Sequence, residues 1–227
     1  MEAVTTGFVA SSGSAKASGT MINLQGFAST PLVHDPYDHM VVQDFVRPEW
    51  QQIIAKDFPQ IDKAGSFPLA TLSYGPEFAR FIAELEGETF RHYVEEKFGL
   101  DLTGRPTMVT VRGQTDETDG RIHTDSRTKI ITMLVYFNES WANQGGKLRL
   151  LRSATDLEDY AAEVEPRIGT LIAFRRSENS WHGHHPYVGP RRAIQLNWVV
   201  SDAVKRREQK RHKVSAFFKK LFGVYAG

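Results

Sequence analysis

The chain has 227 residues, 41% of them hydrophobic and 24% charged, with a formal net charge of +1. This is the profile of a globular protein with a buried core and room for one large or two small domains. It contains no cysteine, which excludes a disulfide framework, a thiolate metal site and a cysteine nucleophile, and no apolar run reaches the roughly eighteen residues that would cross a membrane.

Residues 1–30 are rich in Ser, Gly, Ala and Thr (VASSGSAKASGT) and are expected to form a flexible tail. They lack the basic start and long apolar stretch of a secretion signal, and a cytoplasmic location is the expectation. The ordered domain is expected over 31–203, entering through a strand around Val41, Val42 and Phe45. Pro48 to Phe58 reads as a helix, with proline in its first turn and Glu49 beside it. Residues 65–74 read as a Gly/Ser/Pro loop. Pro76 to Phe98 is the longest helical pattern, interrupted at Gly87 and closed by Gly99. These segments form a helical support over 48–99, its aromatic residues spaced for core packing.

From residue 105 to 202 the pattern changes to short strands separated by turn residues. Thr107–Val111 is followed by a polar loop (Arg112–Arg121), then by DGRIHTDSRTKII. Lys129–Phe137 is a β-branched and aromatic run, Gly145-Gly146 marks a turn, and Lys147–Leu151 alternates. Ser153–Glu165 is an acidic insertion with five Asp/Glu in thirteen residues, expected as a short surface helix or lid. Thr170–Phe174 and Arg191–Val200 complete the series. Such spacing predicts a mainly β sandwich or barrel with flanking α-helices.

His123 and Asp125 are two residues apart, so on an extended segment both side chains point to one side. An imidazole and a carboxylate that converge suit a borderline divalent metal such as Fe(II). A second histidine, His182, follows 59 residues later (182 − 123), with His184 and His185 beside it.

These features in this order resemble the iron(II)/2-oxoglutarate-dependent dioxygenases of the prolyl 4-hydroxylase-like branch. The resemblance rests on His123-x-Asp125, Thr132…Tyr136-Phe137-Asn138, Gly145-Gly146, Pro166…Gly169…Phe174 and His182…Pro186, and on an arginine six residues before Trp198. It implies a double-stranded β-helix (jelly-roll, cupin-like) core. It also implies Fe(2+) held by His123, Asp125 and His182, with 2-oxoglutarate and O2 as cosubstrates and ascorbate as a candidate reductant. His184 and His185 are the alternatives to His182. The family register makes Arg192 the expected partner of the far carboxylate of 2-oxoglutarate. Strand alternation instead puts Arg191 on a face with Ala193, Gln195 and Asn197, and some relatives carry the arginine nine residues after the histidine, which also selects Arg191. Tyr136 and Trp198 are by position either further pocket residues or core aromatics.

The implied reaction is hydroxylation of a C–H bond in a protein, glycan-related or small-molecule substrate, with release of succinate and CO2. Two other classes share the pattern: a cupin-like metalloenzyme without 2-oxoglutarate, and a non-catalytic binding protein on the same scaffold. Residues 204–227 are expected to form a basic amphipathic helix. Eight Lys/Arg against one Glu give +7 over 205–220, leaving −6 for the rest (1 − 7). Val214, Phe217, Phe218, Leu221 and Phe222 form its apolar stripe. Over 205–222 such a helix would pack on its own domain, or meet an acidic partner or membrane surface; nucleic acid is not expected.

Overall fold

The protein structure, a computed structural model, describes residues 19–203 together with Arg206. The basic C-terminal helix expected over 204–227, with its acidic-partner and membrane expectations, lies outside the described residues apart from Arg206. Residues 1–18 of the expected tail do so as well. Within the described residues no helix is long and apolar enough to cross a membrane.

Two sheets carry the fold, and their strands in chain order are β1 (His39–Val42), β2 (Phe67–Pro68), β3 (Thr107–Thr115), β4 (Lys129–Tyr136), β5 (Leu148–Leu151), β6 (Tyr160–Val164), β7 (Leu171–Arg175), β8 (His182–Gly183) and β9 (Gly189–Val199). The large sheet runs β1-β7-β4-β9-β3-β2 and the small one β6-β5-β8, all antiparallel. They face each other as a double-stranded β-helix.

Alternation sends each large-sheet strand's side chains to two different environments. Ile131, Met133, Val135, Ile194, Leu196 and Trp198 join the core shared with the helices. Tyr136, Ile172, Phe174 and Ala193 join Leu148, Leu150 and Val164 in a second cluster between the two sheets. The functional site opens into this inter-sheet layer.

The helices α1 (Leu24–Ser29), α2 (Pro48–Lys56), α3 (Pro76–Leu85) and α4 (Glu88–Phe98) cover the outer face of the large sheet. The expected break at Gly87 is the N-cap of α4, and Gly99 ends α4 in the left-handed region at φ 59°. Trp198 belongs to this outer layer, its ring 6.4 Å from that of Phe90, and so is a core aromatic rather than a pocket residue.

Three expectations need correction. The tail does not reach residue 30: Met21, Ile22 and Phe27 are buried, and Phe27 stacks between Phe45 and Phe90. The Met21 and Ile22 amides donate to Glu84 Oε2, and Asn23 caps α1 through Gly26. Three buried apolar residues at the end of a Ser/Gly-rich stretch are enough to anchor it. Second, the acidic insertion forms strand β6 rather than a helix, because Leu148–Leu151 offers it an edge and Arg149 pairs with Glu163 and Glu158.

Third, Arg112 is not in a loop. β3 runs on through Thr115, with a bulge between Arg112 and Gln114 opposite β9. Gly113 permits this, since a Cβ there would meet Ile61 at 2.6 Å. A bulge re-aims the neighbouring side chain, and that of Arg112 borders the site.

Candidate functional site

His123 and His182 come from distant parts of the chain and are joined by their backbones. The His123 N–H donates to the His182 carbonyl and the His182 N–H to the His123 carbonyl, each at 3.0 Å. The imidazole centroids are 4.3 Å apart. Asp125 faces the same point, and one potential ligand atom from each of the three residues lies within 4.8 Å of the others.

Both imidazoles are held in one tautomer. His123 Nδ1 lies 2.8 Å from the Arg121 carbonyl and His182 Nδ1 2.9 Å from the Ser180 carbonyl. A carbonyl only accepts, so both Nδ1 atoms carry the proton and both Nε2 lone pairs remain free for a metal, the orientation expected of metal-ligating histidines. Two imidazole nitrogens and one carboxylate are the donor set of a facial iron(II) site. The residues present therefore fit the metal.

Asp125 is buried and ionised. Burial alone would raise its pKa, but Lys129, His182 and the Thr132 hydroxyl together bring it down to about 2. Lys129 Nζ sits 2.5 Å from Oδ1 and Thr132 Oγ1 donates to Oδ2 at 2.5 Å. Arg176 Nε donates to the Asp125 carbonyl at 3.2 Å. Burial pushes His182 down to about 4, with Asp125 opposing the shift only in part, so the imidazole is neutral at physiological pH. Tyr37 holds the same segment from afar, its hydroxyl donating to the Trp181 carbonyl at 2.8 Å.

The three residues border a cavity of about 180 Å³ between the sheets, which Leu134, Phe174, His184 and Arg191 also line. Arg191 is 4% exposed. Its Nε donates to the Gly146 carbonyl at 2.8 Å, and Nη2 donates to the Tyr136 hydroxyl at 3.4 Å. Arg192 does not enter the cavity. It is exposed on the opposite side of β9, with its guanidinium 5.8 Å from the Phe58 ring. Of the two expected anchor candidates, only Arg191 borders the cavity, because the pleat of β9 puts 191, 193, 195 and 197 inside and 192 outside. Tyr136 is fully buried and reaches the cavity through Arg191. Burial raises its pKa against the opposing pull of that arginine.

His184 borders the cavity but is not one of the three converging residues. Its Nδ1 donates to the His185 carbonyl at 2.8 Å, and burial, followed by Arg191 and Arg112, lowers its pKa to about 4. Its position depends on Gly120 (φ 89°), where a Cβ would lie 2.3 Å from His184 Nδ1. His185 turns away to Glu158, 2.7 Å from its Nε2.

Sequence reasoning missed Tyr37, Lys129, Thr132, Arg112 and Asn197. Lys129 and Thr132 were within its reach, because on β4 they follow Asp125 by four and seven residues. Tyr37 was not, standing 144 residues from its partner.

Residues 110–200 match the family model described as the 2OG-Fe(II) oxygenase superfamily. No curated protein matches the sequence. Among solved structures, a Pseudomonas putida prolyl-4-hydroxylase is similar at a TM-score of 0.52 and 16% identity, over 78% of this chain and 97% of that one. A prolyl 4-hydroxylase of Phytophthora capsici is similar at 0.52 and 16%, over 86% and 70%. The viral collagen prolyl hydroxylase of Paramecium bursaria Chlorella virus 1, solved with 2-oxoglutarate, is similar at 0.50 and 14%, over 74% and 98%. At these identities the three structures speak for the fold, and the family match speaks for the chemistry. Residues 110–200, which hold His123, Asp125, His182 and Arg191, are thus similar to the 2OG-Fe(II) oxygenases, enzymes that use Fe(2+), 2-oxoglutarate and O2.

Proposed function

We propose that the protein is a dioxygenase that hydroxylates a C–H bond of its substrate at an iron held by His123, Asp125 and His182, with the far carboxylate of 2-oxoglutarate on Arg191. The observation that carries the reading is one cavity lined both by two imidazoles and a carboxylate whose potential ligand atoms converge and by a buried guanidinium. When bound, iron and its cosubstrate supply the oxidising chemistry, in which R–H + O2 + 2-oxoglutarate becomes R–OH + succinate + CO2.

Each protein group has a task in this reading. The neutral His182 and ionised Asp125 are ready to ligate without first losing a proton. Lys129 and Thr132 fix the rotamer of Asp125, and the Arg121 and Ser180 carbonyls fix the imidazole planes. Arg191 presents a planar fork that pairs with a carboxylate through two parallel bonds. The Gly146 carbonyl and Tyr136 set the plane of that fork. Leu134, Leu148 and Phe174 supply the apolar part of the lining.

The substrate class of this reading is a protein, a glycan-related compound or a small molecule. The test is succinate release from 2-oxoglutarate by the purified protein with Fe(II) in air. Release above the metal-free control, abolished by Asp125→Ala, supports the reading; release unaffected by that substitution contradicts it.

A further inference from the structure

The turn at Gly145-Gly146, between β4 and β5, reaches the site through one atom. The Gly146 carbonyl accepts the short hydrogen bond of Arg191, from Nε at 2.8 Å. The bond from Arg191 Nη2 to the Tyr136 hydroxyl is long, at 3.4 Å. Where Gly146 lies therefore decides where the guanidinium lies.

Residues 139–147 carry neither helix nor strand, so side chains must hold the turn in place. Trp141 does so at both glycines. Its Nε1 donates to the Gly145 carbonyl at 3.0 Å. Its ring covers Gly146 so closely that a Cβ there would lie 2.6 Å from Cζ2. Tyr187 closes the other side, its ring centroid 4.6 Å from that of the indole and its Cβ 3.2 Å from the same position on Gly146. The Gly146 N–H donates to the His185 carbonyl at 3.0 Å, and a Cβ on Gly145 would collide with the Pro186 carbonyl. With φ at 78°, Gly146 also needs the conformational freedom of glycine. The turn is thus clamped between an indole and the segment that leads from β8 to β9.

We infer that Trp141 is a positioning residue for the cosubstrate: by clamping this turn it fixes the carbonyl that orients Arg191, and so sets the affinity for the far carboxylate of 2-oxoglutarate without touching it. The inference rests on the proposed placement of that carboxylate on Arg191. A guanidinium takes a carboxylate in its own plane through two parallel bonds. Rotating that plane costs a bond while the charge stays. The contacts of Trp141 run to Gly145, Gly146 and Tyr187 and not to the three converging residues, so metal affinity does not depend on it.

The test titrates Fe(II) and then 2-oxoglutarate calorimetrically, without oxygen, into the wild type, Trp141→Ala, Trp141→Phe, Arg191→Ala and the double variant Trp141→Ala/Arg191→Ala. Asn143→Ala, an exposed position on the same turn, is the control. Trp141→Ala weakens 2-oxoglutarate binding tenfold or more and leaves Fe(II) affinity within twofold; Asn143→Ala changes neither. The milder Trp141→Phe, which loses the indole N–H, weakens 2-oxoglutarate at least threefold and decides the matter if thermal unfolding shows that Trp141→Ala does not fold. The double variant binds no more weakly than Arg191→Ala, because without the guanidinium there is nothing left to position. In the metal-free protein labelled with 15N-arginine, the Arg191 Nε–H exchanges with solvent at least fivefold faster in the Trp141 variants than in the wild type. Additive losses in the double variant, a parallel loss of Fe(II) affinity, or an unchanged exchange rate overturns the inference. Weakened 2-oxoglutarate binding in Arg191→Ala with undiminished binding in both Trp141 variants overturns this inference alone. Undiminished binding in Arg191→Ala refutes the cosubstrate placement itself, and the inference falls with it.

Discussion

His123 and His182 are tied to each other through both backbones, N–H to carbonyl in each direction at 3.0 Å. A loop after β3 and the short strand β8 thereby form one rung that crosses the mouth of the β-helix. Both imidazoles are positioned by main-chain hydrogen bonds before any ligand arrives, and Asp125 is carried on the same segment two residues on.

The first consequence concerns which histidine ligates. His182→Ala removes one of three converging donors, whereas His184→Ala removes a side chain outside that group. Calorimetric titration with Fe(II) or Co(II) is expected to show at least a hundredfold loss of affinity for the first and less than tenfold for the second. Equal losses would mean that His184 takes part in ligation.

Asp125 depends on Thr132 for its orientation. Thr132→Val keeps the volume and removes the hydroxyl that donates to Oδ2. Loss of such an outer partner lowers metal affinity by about ten- to a hundredfold. The same titration checks it, with thermal unfolding to show that the fold persists. Undiminished affinity would show that Lys129 alone suffices.

His184 also makes the metal-free protein sensitive to acid. Burial lowers its folded pKa from 6.5 to about 4, so between these values the unfolded chain binds a proton that the folded chain refuses. Folding stability is therefore complete above about pH 6.5 and falls as the pH drops toward 4. His184→Gln removes this contribution, on the order of 3 kcal/mol across the window. Urea unfolding at several pH values is expected to give the variant a shallower acid decline than the wild type. Parallel declines would contradict the assignment.

The N-terminal segment contributes stability as well as cover. Phe27 is fully buried against Phe45 and Phe90, and Phe27→Ala is expected to cost about 3–5 kcal/mol. A loss under about 1 kcal/mol in urea unfolding would return this segment to the status of a tail.

Two strands of the large sheet were legible because Lys129–Tyr136 is a β-branched and aromatic run and because Ile194, Leu196 and Trp198 alternate with Gln195 and Asn197 in Gly189–Val199, and the break between α3 and α4 because Gly87 stands alone in a helical pattern. His123, Asp125 and His182 were legible through spacing and resemblance together. Arg191 shows why the pleat of a strand is the better guide: residue offset selected Arg192, whereas inward-facing Ala193, Gln195 and Asn197 belong with Arg191. β6 was missed because its acidic sequence forms a strand only against the arginine-bearing edge of β5. Arg112 was missed because a polar run with a glycine reads as a loop, and only the close approach of Ile61 to Gly113 makes it a bulged strand. Tyr37 acts across 144 residues, which no local pattern encodes.

The central claim, that one cavity holds iron on its histidines and 2-oxoglutarate on Arg191, is tested most directly by anaerobic titration with Fe(II) followed by 2-oxoglutarate. The account expects the weak visible band of the chelate to form in the wild type and in Arg192→Ala. It expects the band to require at least tenfold more 2-oxoglutarate in Arg191→Ala and to vanish in His182→Ala. Iron binding with no band at any 2-oxoglutarate concentration, or a band weakened by Arg192→Ala and not by Arg191→Ala, would contradict it.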